Sequence, residues 1–158
     1  MDELESRAWL ALVWTSELLP VTLDAQLQAE SGMTHFEFMV LSTLREAKSP
    51  MRTKDLAAAV NATMPRLSRV IGKLADRGLV ERSGASTDAR VVNIRLTTAG
   101  RRELVRAVPR HIALVRQLVI DRLSREQLVA LAGILEPLVE RLDPQDRVGF
   151  DAARRASE

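Results

Sequence analysis

The sequence of 158 residues predicts a mainly α-helical fold with one small β-hairpin. Apolar residues recur at helical spacing along most of the chain, and the helical stretches start at residues that cap helices well. Two short stretches near the middle, residues 79–82 and 91–96, are predicted strands. The length fits one domain, or one domain with additional dimerisation helices.

The most informative helix is predicted at residues 64–78. Its apolar side chains fall at positions i, i+3, i+4 and i+7, which places them on one stripe facing a core: Leu67, Val70, Ile71 and Leu74. The opposite face carries short or cationic residues, namely Pro65, Arg66, Arg69, Gly72 and Lys73. A helix of this kind can enter the major groove of duplex DNA, the only groove wide enough to admit it.

A compact helix at residues 53–60 precedes it, with Thr53 as its predicted N-cap. Residues 61–63 form the predicted turn between the two helices. Thr63 is the expected N-cap of the second helix, and Pro65 is tolerated in its first turn because the missing N–H costs little there. The two helices and their turn therefore have the spacing of a helix-turn-helix.

A hairpin is expected to follow the second helix. Gly78 is the expected C-cap, and the strand at residues 91–96 is rich in β-branched residues. The segment between the strands, residues 83–90, is polar and flexible, which predicts a hairpin with a long tip, or wing. Residues 51–52 are candidates for a very short third strand.

One series of residues runs through the second helix, the hairpin and the start of the next helix: Leu74, Gly78, Leu79, Val80, Glu81, Arg82, Asp88, Arg90, Leu96, Thr97, Gly100 and Arg101. In this spacing the series resembles the winged helix-turn-helix of the MarR family of bacterial transcription regulators. The match is sharp from about Thr53 to Arg101, and the helices outside it agree with the family's overall plan. The resemblance implies a winged helix-turn-helix flanked by N- and C-terminal dimerisation helices.

The N-terminal helix, expected at residues 3–30, carries a long apolar stripe that consists of Leu4, Ala8, Ala11, Trp14, Leu18 or Leu19, Leu23 and Leu27. Pro20 lies inside it, so we expect a kink or two abutting helices there. A stripe this long in a small protein needs an external partner, and the resemblance implies that this partner is the second subunit. Trp9 and Trp14 are candidates to line a ligand pocket, but tryptophan at helical spacing is more often found at an interface or in a core, which is the expectation here.

The next helix is expected to begin at a capping box formed by Thr34 and Glu37, after a break at residues 31–33, and to end near Ala47. Its predicted apolar face consists of Phe36, Met39, Val40, Leu41 and Leu44. This helix leads into the predicted helix-turn-helix.

Two more helices follow the wing. Thr97 is the expected cap of a long helix that reaches Leu123 and bends at Pro109, and Ser124 and Gln127 form a capping box for the last helix. The leucines of the last helix are spaced by three and four, the pattern of a helix packed on another at a shallow angle: Leu128, Leu131, Leu135, Leu138 and Leu142. The predicted organisation is an N-terminal dimerisation helix at residues 1–33, a winged helix-turn-helix DNA-binding domain at 34–100, C-terminal dimerisation helices at 101–142 and a polar tail at 143–158.

Positive charge is concentrated in the central unit. Residues 52–110 contain 13 Lys and Arg against 5 Asp and Glu, a net charge of +8, whereas the rest of the chain has a net charge of −6. This asymmetry is expected of a surface that meets phosphates. The alternative of an ordinary solvated face is less favoured, because the charge coincides with helix-turn-helix spacing.

Several function classes are excluded or disfavoured. The chain has no cysteine, which excludes disulfides, a thiol-based redox switch and a Cys-rich metal site. It shows no basic leader and no apolar run long enough to span a bilayer, so we expect a cytoplasmic protein. An enzyme is disfavoured because the two histidines, His35 and His111, lie on different elements and no other acid–base set converges. We expect neither a cofactor nor a metal.

Contacts with duplex DNA divide into those that position the protein and those that read bases. The candidates for phosphates or groove edges are Thr63, Ser68 and Lys73. The candidates for bases are Arg66 and Arg69, since arginine to guanine is the commonest specific pairing, with Pro65 against a thymine methyl group. Arg52 and Lys54 are weaker candidates that fit ordinary surface equally well.

The resemblance adds two residues of the wing. It implies that Arg90 is carried into the minor groove or onto its phosphates, and that Asp88 braces Arg90 or an arginine of the recognition helix. A carboxylate beside DNA is repelled unless a neighbouring guanidinium neutralises it.

The expected partner is double-stranded DNA, bound by a homodimer. A two-fold dimer places two recognition helices about one turn of DNA apart, so its operator is expected to be a near-palindrome with half-sites spaced by roughly 10 base pairs. The resemblance further implies repression and a small aromatic or lipophilic effector bound between the dimer helices and the winged unit. The candidate effector residues are Trp14, His35, Phe36 and Met39.

The rival interpretation is a winged-helix module that binds another protein, as an adaptor or antagonist of a regulator. The basic face of the second helix and Arg90 on the wing favour DNA, because a protein-binding wing would show exposed apolar residues there.

Overall fold

The computed structural model describes residues 1–47, 49–85 and 88–148. Within these ranges it describes the side chains of all residues except 85 and 88–91. This part of the chain contains six α-helices, a 3-10 turn at Ile120–Arg122 and one three-stranded antiparallel sheet. The helices are α1 (Glu3–Ser31), α2 (His35–Glu46), α3 (Thr53–Ala59), α4 (Met64–Asp76), α5 (Thr98–Leu118) and α6 (Arg125–Leu142). The strands are β1 (Met51–Arg52), β2 (Val80–Ala85) and β3 (Asp88–Leu96).

The N-terminal helix α1 is one continuous helix of 29 residues. Asp2 and Glu5 form a capping box at its start, and Gly32 ends it in the left-handed conformation, with φ +58°. Pro20 lies inside the helix, so the predicted alternative of two abutting helices is wrong. A proline removes one backbone hydrogen bond, and an exposed position such as Pro20 tolerates this loss because the freed carbonyl is not enclosed in the core.

The capping box of α2 is confirmed. The Thr34 hydroxyl accepts from the Glu37 N–H at 3.1 Å, and the Glu37 carboxylate accepts from the Thr34 N–H at 2.9 Å. One assignment on the apolar face of α2 is wrong, because Met39 is exposed and Phe38 is buried in its place. Phe38, Val40, Leu41 and Leu44 are the apolar side chains that α2 buries.

The sheet has the strand order β1, β3, β2, so the short strand β1 predicted at residues 51–52 is confirmed. Both long strands extend further towards the tip than predicted, since β2 continues to Ala85 and β3 begins at Asp88. The predicted eight-residue polar tip is therefore wrong. Backbone hydrogen bonds form a ladder irrespective of side-chain polarity, and in the described part of the hairpin the register shifts between Gly84 and Ala85. Residues 86–87, where the predicted tip was centred, lie outside the described residues.

The start of α3 differs from the prediction. Arg52 occupies the N-cap position without a capping side-chain hydrogen bond, so the assignment of Thr53 as the cap is wrong. The Thr53 hydroxyl instead donates to the Val92 carbonyl at 2.9 Å. This bond connects α3 to β3, a partner that local sequence does not reveal.

Both ends of α4 are fixed locally. The Thr63 hydroxyl accepts from the Arg66 N–H at 3.5 Å, which confirms Thr63 as the N-cap. At the other end the Gly78 N–H donates to the Ala75 carbonyl and the Leu79 N–H to the Leu74 carbonyl, both at 2.8 Å. These two bonds form a Schellman motif, which needs the left-handed conformation that Gly78 adopts at φ +69°.

The predicted caps of the two C-terminal helices are confirmed at Thr97 and at the Ser124 and Gln127 capping box. The prediction that the first of these helices reaches Leu123 is wrong. It ends at Leu118, because Val119 leaves helical geometry and the 3-10 turn follows. Both helices continue through an internal proline, Pro109 in α5 and Pro137 in α6.

A single core joins the end of α1 to α2, α3, α4, the sheet and the first half of α5. Its largest fully buried side chains are Leu27, Met33, Leu41, Leu56, Leu67, Ile71, Leu74, Ile94, Leu104 and Val40. In contrast, α6 buries none of its residues, and α1 buries only Leu23 and Leu27. Within the described ranges, none of the helices combines the length and the apolar character that crossing a membrane requires.

Candidate nucleic-acid interface

The helix α4 has one face in the core and one face in solvent. Leu67, Ile71 and Leu74 are buried, and Val70 packs against the core, as the apolar stripe predicts. The residues of α4 and its cap that are predicted for DNA contact are all exposed: Thr63, Pro65, Arg66, Ser68, Arg69 and Lys73. The structure therefore brings these six residues together on one surface. Thr63, the N-cap of α4, lies at the start of this surface.

A cationic cleft with a volume of about 440 Å³ lies beside this surface, between the start of α3, α4 and the sheet. Its walls include three cations, Arg52, Lys54 and Arg82, together with Ser68 of α4. The bond from Thr53 to β3 holds α3 against this side of the cleft. The two weaker candidates, Arg52 and Lys54, thus share a cleft with residues of the helix-turn-helix.

Arg82 is a candidate that the sequence interpretation did not select. Its Nη2 atom lies 3.7 Å from the point where a Cβ on Gly72 would stand, so one end of the guanidinium lies beside the middle of α4. The neighbouring Glu81 pairs with Arg95 on the adjacent strand, which neutralises those two charges. No local pattern marks Arg82, because its position beside α4 depends on how the hairpin packs on the helix.

The first turn of α2 contacts both ends of α4. At one end the guanidinium carbon of Arg66 lies 4.0 Å from the centroid of the Phe36 ring. At the other end an Nη1 atom of Arg77 lies 3.6 Å from a carboxylate oxygen of Glu37, which is only 6% exposed, and it donates to the Gly32 carbonyl at 3.3 Å. These contacts fix the exposed helix relative to α2.

The four predicted effector residues are not gathered into one site in the single chain. His35 faces α5, where its ring centroid lies 5.9 Å from that of His111, whereas Phe36 faces Arg66 of α4. Trp14 and Met39 are exposed. The assignment of an effector to these residues stays a prediction.

The histidine pair lies where α1, α2 and α5 meet. Burial lowers the pKa of His35 below its ordinary value, although the carboxylate of Asp24 opposes this effect. Burial also lowers the pKa of His111, and the nearby His35 lowers it further. The Nδ1 atom of His111 is buried without a hydrogen-bond partner in the described structure, and its ring packs 4.4 Å from that of Phe38.

Asp88 and Arg90 are in β3, but their side chains lie outside the described part of the structure. Their predicted roles in the wing therefore stay predictions. Among the described residues, no cluster of three or more acidic or histidine side chains is arranged to hold a metal ion.

The arrangement of the elements matches solved structures along nearly the whole chain. Sco3205, a MarR family transcriptional regulator from Streptomyces coelicolor crystallised in complex with DNA, is 33% identical, with a TM-score of 0.86 and 92% of each chain covered. The protein belongs to the MarR family. The MarR family model matches residues 33–92, which contain the helix-turn-helix and most of the hairpin.

Two further relatives of this MarR-family protein support the assignment to a family of transcriptional regulators. AbsC, also a MarR family transcriptional regulator from Streptomyces coelicolor, is 32% identical, with a TM-score of 0.84 and coverage of 92% of this chain and 98% of AbsC. The HTH-type transcriptional repressor YetL of Bacillus subtilis is 30% identical over 115 residues, which cover 72% of this chain and 68% of YetL. The predicted family and the predicted winged helix-turn-helix fold are confirmed.

Proposed function

We propose that this MarR-family protein is a transcriptional repressor, not an enzyme, and that it binds a near-palindromic DNA operator as a homodimer in the cytoplasm. The observation that carries the proposal is the exposed face of α4, where Arg66, Arg69 and Lys73 stand on a helix whose other face is buried. An α-helix with such a face fits the major groove. The DNA complex of Sco3205 and the repressor name of YetL support the same function.

The contacts divide by chemistry. Arg66 and Arg69 read base edges, because a guanidinium donates two parallel hydrogen bonds to guanine. The positioning contacts to phosphates and groove edges come from Thr63, Ser68 and Lys73, with Pro65 against a thymine methyl group. Arg52, Lys54 and Arg82 line the cleft beside α4 and neutralise phosphates next to the groove that α4 enters. Asp88 and Arg90 act on the wing as the family resemblance implies.

The dimer is made by the two ends of the chain, residues 1–33 and 101–142, around the DNA-binding domain at 34–100. Large apolar side chains are exposed along α1, α5 and α6 in the single chain, among them Trp9 and Trp14 at 56% and 59% exposure. Soluble monomers rarely leave so large an apolar surface in water. A second copy covers it and sets the two α4 helices about one turn of DNA apart.

The proposed effector is a small aromatic or lipophilic compound that binds near Trp14, His35, Phe36 and Met39. It regulates DNA binding only through a difference in its affinity for the arrangements of the dimer that can and cannot bind DNA. Coupling of this kind typically amounts to ~1–3 kcal/mol.

The test is fluorescence anisotropy of the purified protein on duplex DNA from the region upstream of its own gene, over a salt series. Specific binding that weakens steeply with salt and is lost in Arg69→Ala supports the proposal, because released counterions set the slope. Arg45→Ala is the matched control, since it removes the same charge from the last turn of α2, where Arg45 pairs with Glu46 away from the proposed DNA contacts and dimer helices. Binding no tighter than to unrelated DNA, unchanged in Arg69→Ala, contradicts the proposal.

A further inference from the structure

One arginine of the exposed α4 face is held by a residue outside the helix-turn-helix. The guanidinium carbon of Arg66 lies 4.0 Å from the centroid of the Phe36 ring, within the range of a cation–π contact. Phe36 belongs to α2 and Arg66 to the first turn of α4. The two residues are 30 positions apart in the chain, so the contact exists only in the folded protein.

The Phe36 ring is itself fixed in place. It is half-buried and packs against the core, and the capping box of Thr34 and Glu37 holds the turn of α2 that carries it. The next residue, Glu37, is buried and pairs with Arg77 just beyond the other end of α4. The distance between the Phe36 ring and the start of α4 is therefore set by contacts at both ends of the helix.

A distance of 4.0 Å from the guanidinium carbon to the ring centroid fits a guanidinium that lies face to face with the ring. The donors of a guanidinium lie in its plane, so a ring against its face uses none of the N–H groups that hydrogen-bond a base or a phosphate. The ring does restrict the long side chain, which then loses less conformational freedom when it meets DNA. A phenylalanine in this position orders the arginine without competing for its hydrogen bonds.

We infer that Phe36 is a positioning residue for Arg66: it holds the guanidinium ready for the operator, and so influences base preference from outside the helix-turn-helix. This inference rests on the proposed DNA-binding function. Phe36 is thereby assigned to the recognition surface through Arg66, a role that does not require it to contact DNA itself.

The first experiment needs no DNA. The side-chain Nε–H of Arg66 is observed by NMR relaxation in the wild type, in Phe36→Leu and in Phe36→Tyr. The Arg66 side chain is expected to be ordered in the wild type and in Phe36→Tyr, which keeps the ring face, and mobile in Phe36→Leu. Equal mobility of Arg66 in the wild type and Phe36→Leu overturns the inference, whatever the protein binds.

The second experiment measures operator affinity in a double-mutant cycle. The cost of immobilising one long side chain on binding corresponds to about a two- to tenfold change in affinity, so Phe36→Leu is expected to weaken operator binding by about that factor. The same factor is expected in an Arg69→Ala background, whereas Phe36→Leu is expected to have no effect in an Arg66→Ala background. A panel of operators with single base-pair changes should show that Phe36→Leu and Arg66→Ala lose discrimination at the same position.

Equal losses from Phe36→Leu in the wild-type and Arg66→Ala backgrounds overturn the inference, because Phe36 would then act through the fold. Urea unfolding of each variant identifies such a general effect directly. If the wild type itself prefers no operator, the proposed function fails, and the NMR comparison still decides whether Phe36 positions Arg66.

Discussion

Gly100 offers a strong test of how the winged unit is packed. It is buried in the first turn of α5, and its N–H donates to the Thr97 hydroxyl at 2.9 Å. A Cβ added to Gly100 would lie 2.0 Å from the carbonyl oxygen of Leu79 and 2.8 Å from Cδ1 of Leu96. The Leu79 carbonyl is backbone, so it cannot rotate out of the way, and α5 must move relative to the hairpin in Gly100→Ala.

Two opposing effects set the size of the change. Alanine is favoured over glycine within a helix by up to about 1 kcal/mol. Overpacking that shifts backbone costs about 1–3 kcal/mol, and a separation of 2.0 Å belongs at the upper end of this range. The net loss in the free energy of unfolding is therefore about 2 kcal/mol, equivalent to a fall in Tm of about 4–8 °C for a chain of this size.

The assay is thermal and urea unfolding followed by circular dichroism, at one fixed protein concentration because the proposed dimer would make stability depend on concentration. Gly72→Ala in α4 is the matched control, since a Cβ there would meet Arg82 Nη2 at 3.7 Å, an ordinary van der Waals contact, and it is expected to leave stability unchanged or to raise it by up to about 1 kcal/mol. Gly100→Ala as stable as the wild type would refute the described packing of α5 on the hairpin.

Three further predictions concern other parts of the molecule. Thr97→Val removes a hydroxyl that accepts from the Gly100 N–H and lies 2.8 Å from the Gly78 carbonyl oxygen. This change should lower the free energy of unfolding in urea by about 1–2 kcal/mol, and an unchanged value would contradict the capping role of Thr97. Both histidines have lowered pKa values in the folded protein, so the unfolded chain binds more protons below about pH 6.5. The free energy of unfolding should therefore fall as the pH drops from about 7 to about 5, and it should fall less in His111→Gln. A pH profile in His111→Gln equal to that of the wild type would refute the lowered pKa of His111. Arg82→Ala should weaken binding to all operator variants evenly and reduce the slope of log affinity against log salt by about 1; a change in base preference instead would show that Arg82 reads bases.

The sequence predicted the structure correctly where the residues that determine it lie close together in the chain. The apolar stripe of Leu67, Ile71 and Leu74 predicted which face of α4 is buried, because side-chain hydrophobicity and the helical period together determine it. The caps at Thr34 and Thr63 were predictable for the same reason, since a capping residue lies only three residues from its partner.

The sequence did not predict contacts between residues that are far apart in the chain. Thr53 has the residue type of a cap, yet its hydroxyl bonds to Val92, which is 39 residues away. The strands continue through polar residues such as Ser83, because their backbone groups pair across the hairpin irrespective of side chain. The position of Arg82 over Gly72 and the contact of Phe36 with Arg66 likewise depend on the packing of one element on another.

The most direct test of the proposed function is hydroxyl-radical footprinting of the wild type and Arg69→Ala on the region upstream of the protein's own gene. Two protected half-sites related by two-fold symmetry are expected, with centres roughly 10 base pairs apart, and both should disappear together in Arg69→Ala. A single asymmetric site, or protection that persists in Arg69→Ala, would contradict a dimer that reads DNA with the exposed face of α4.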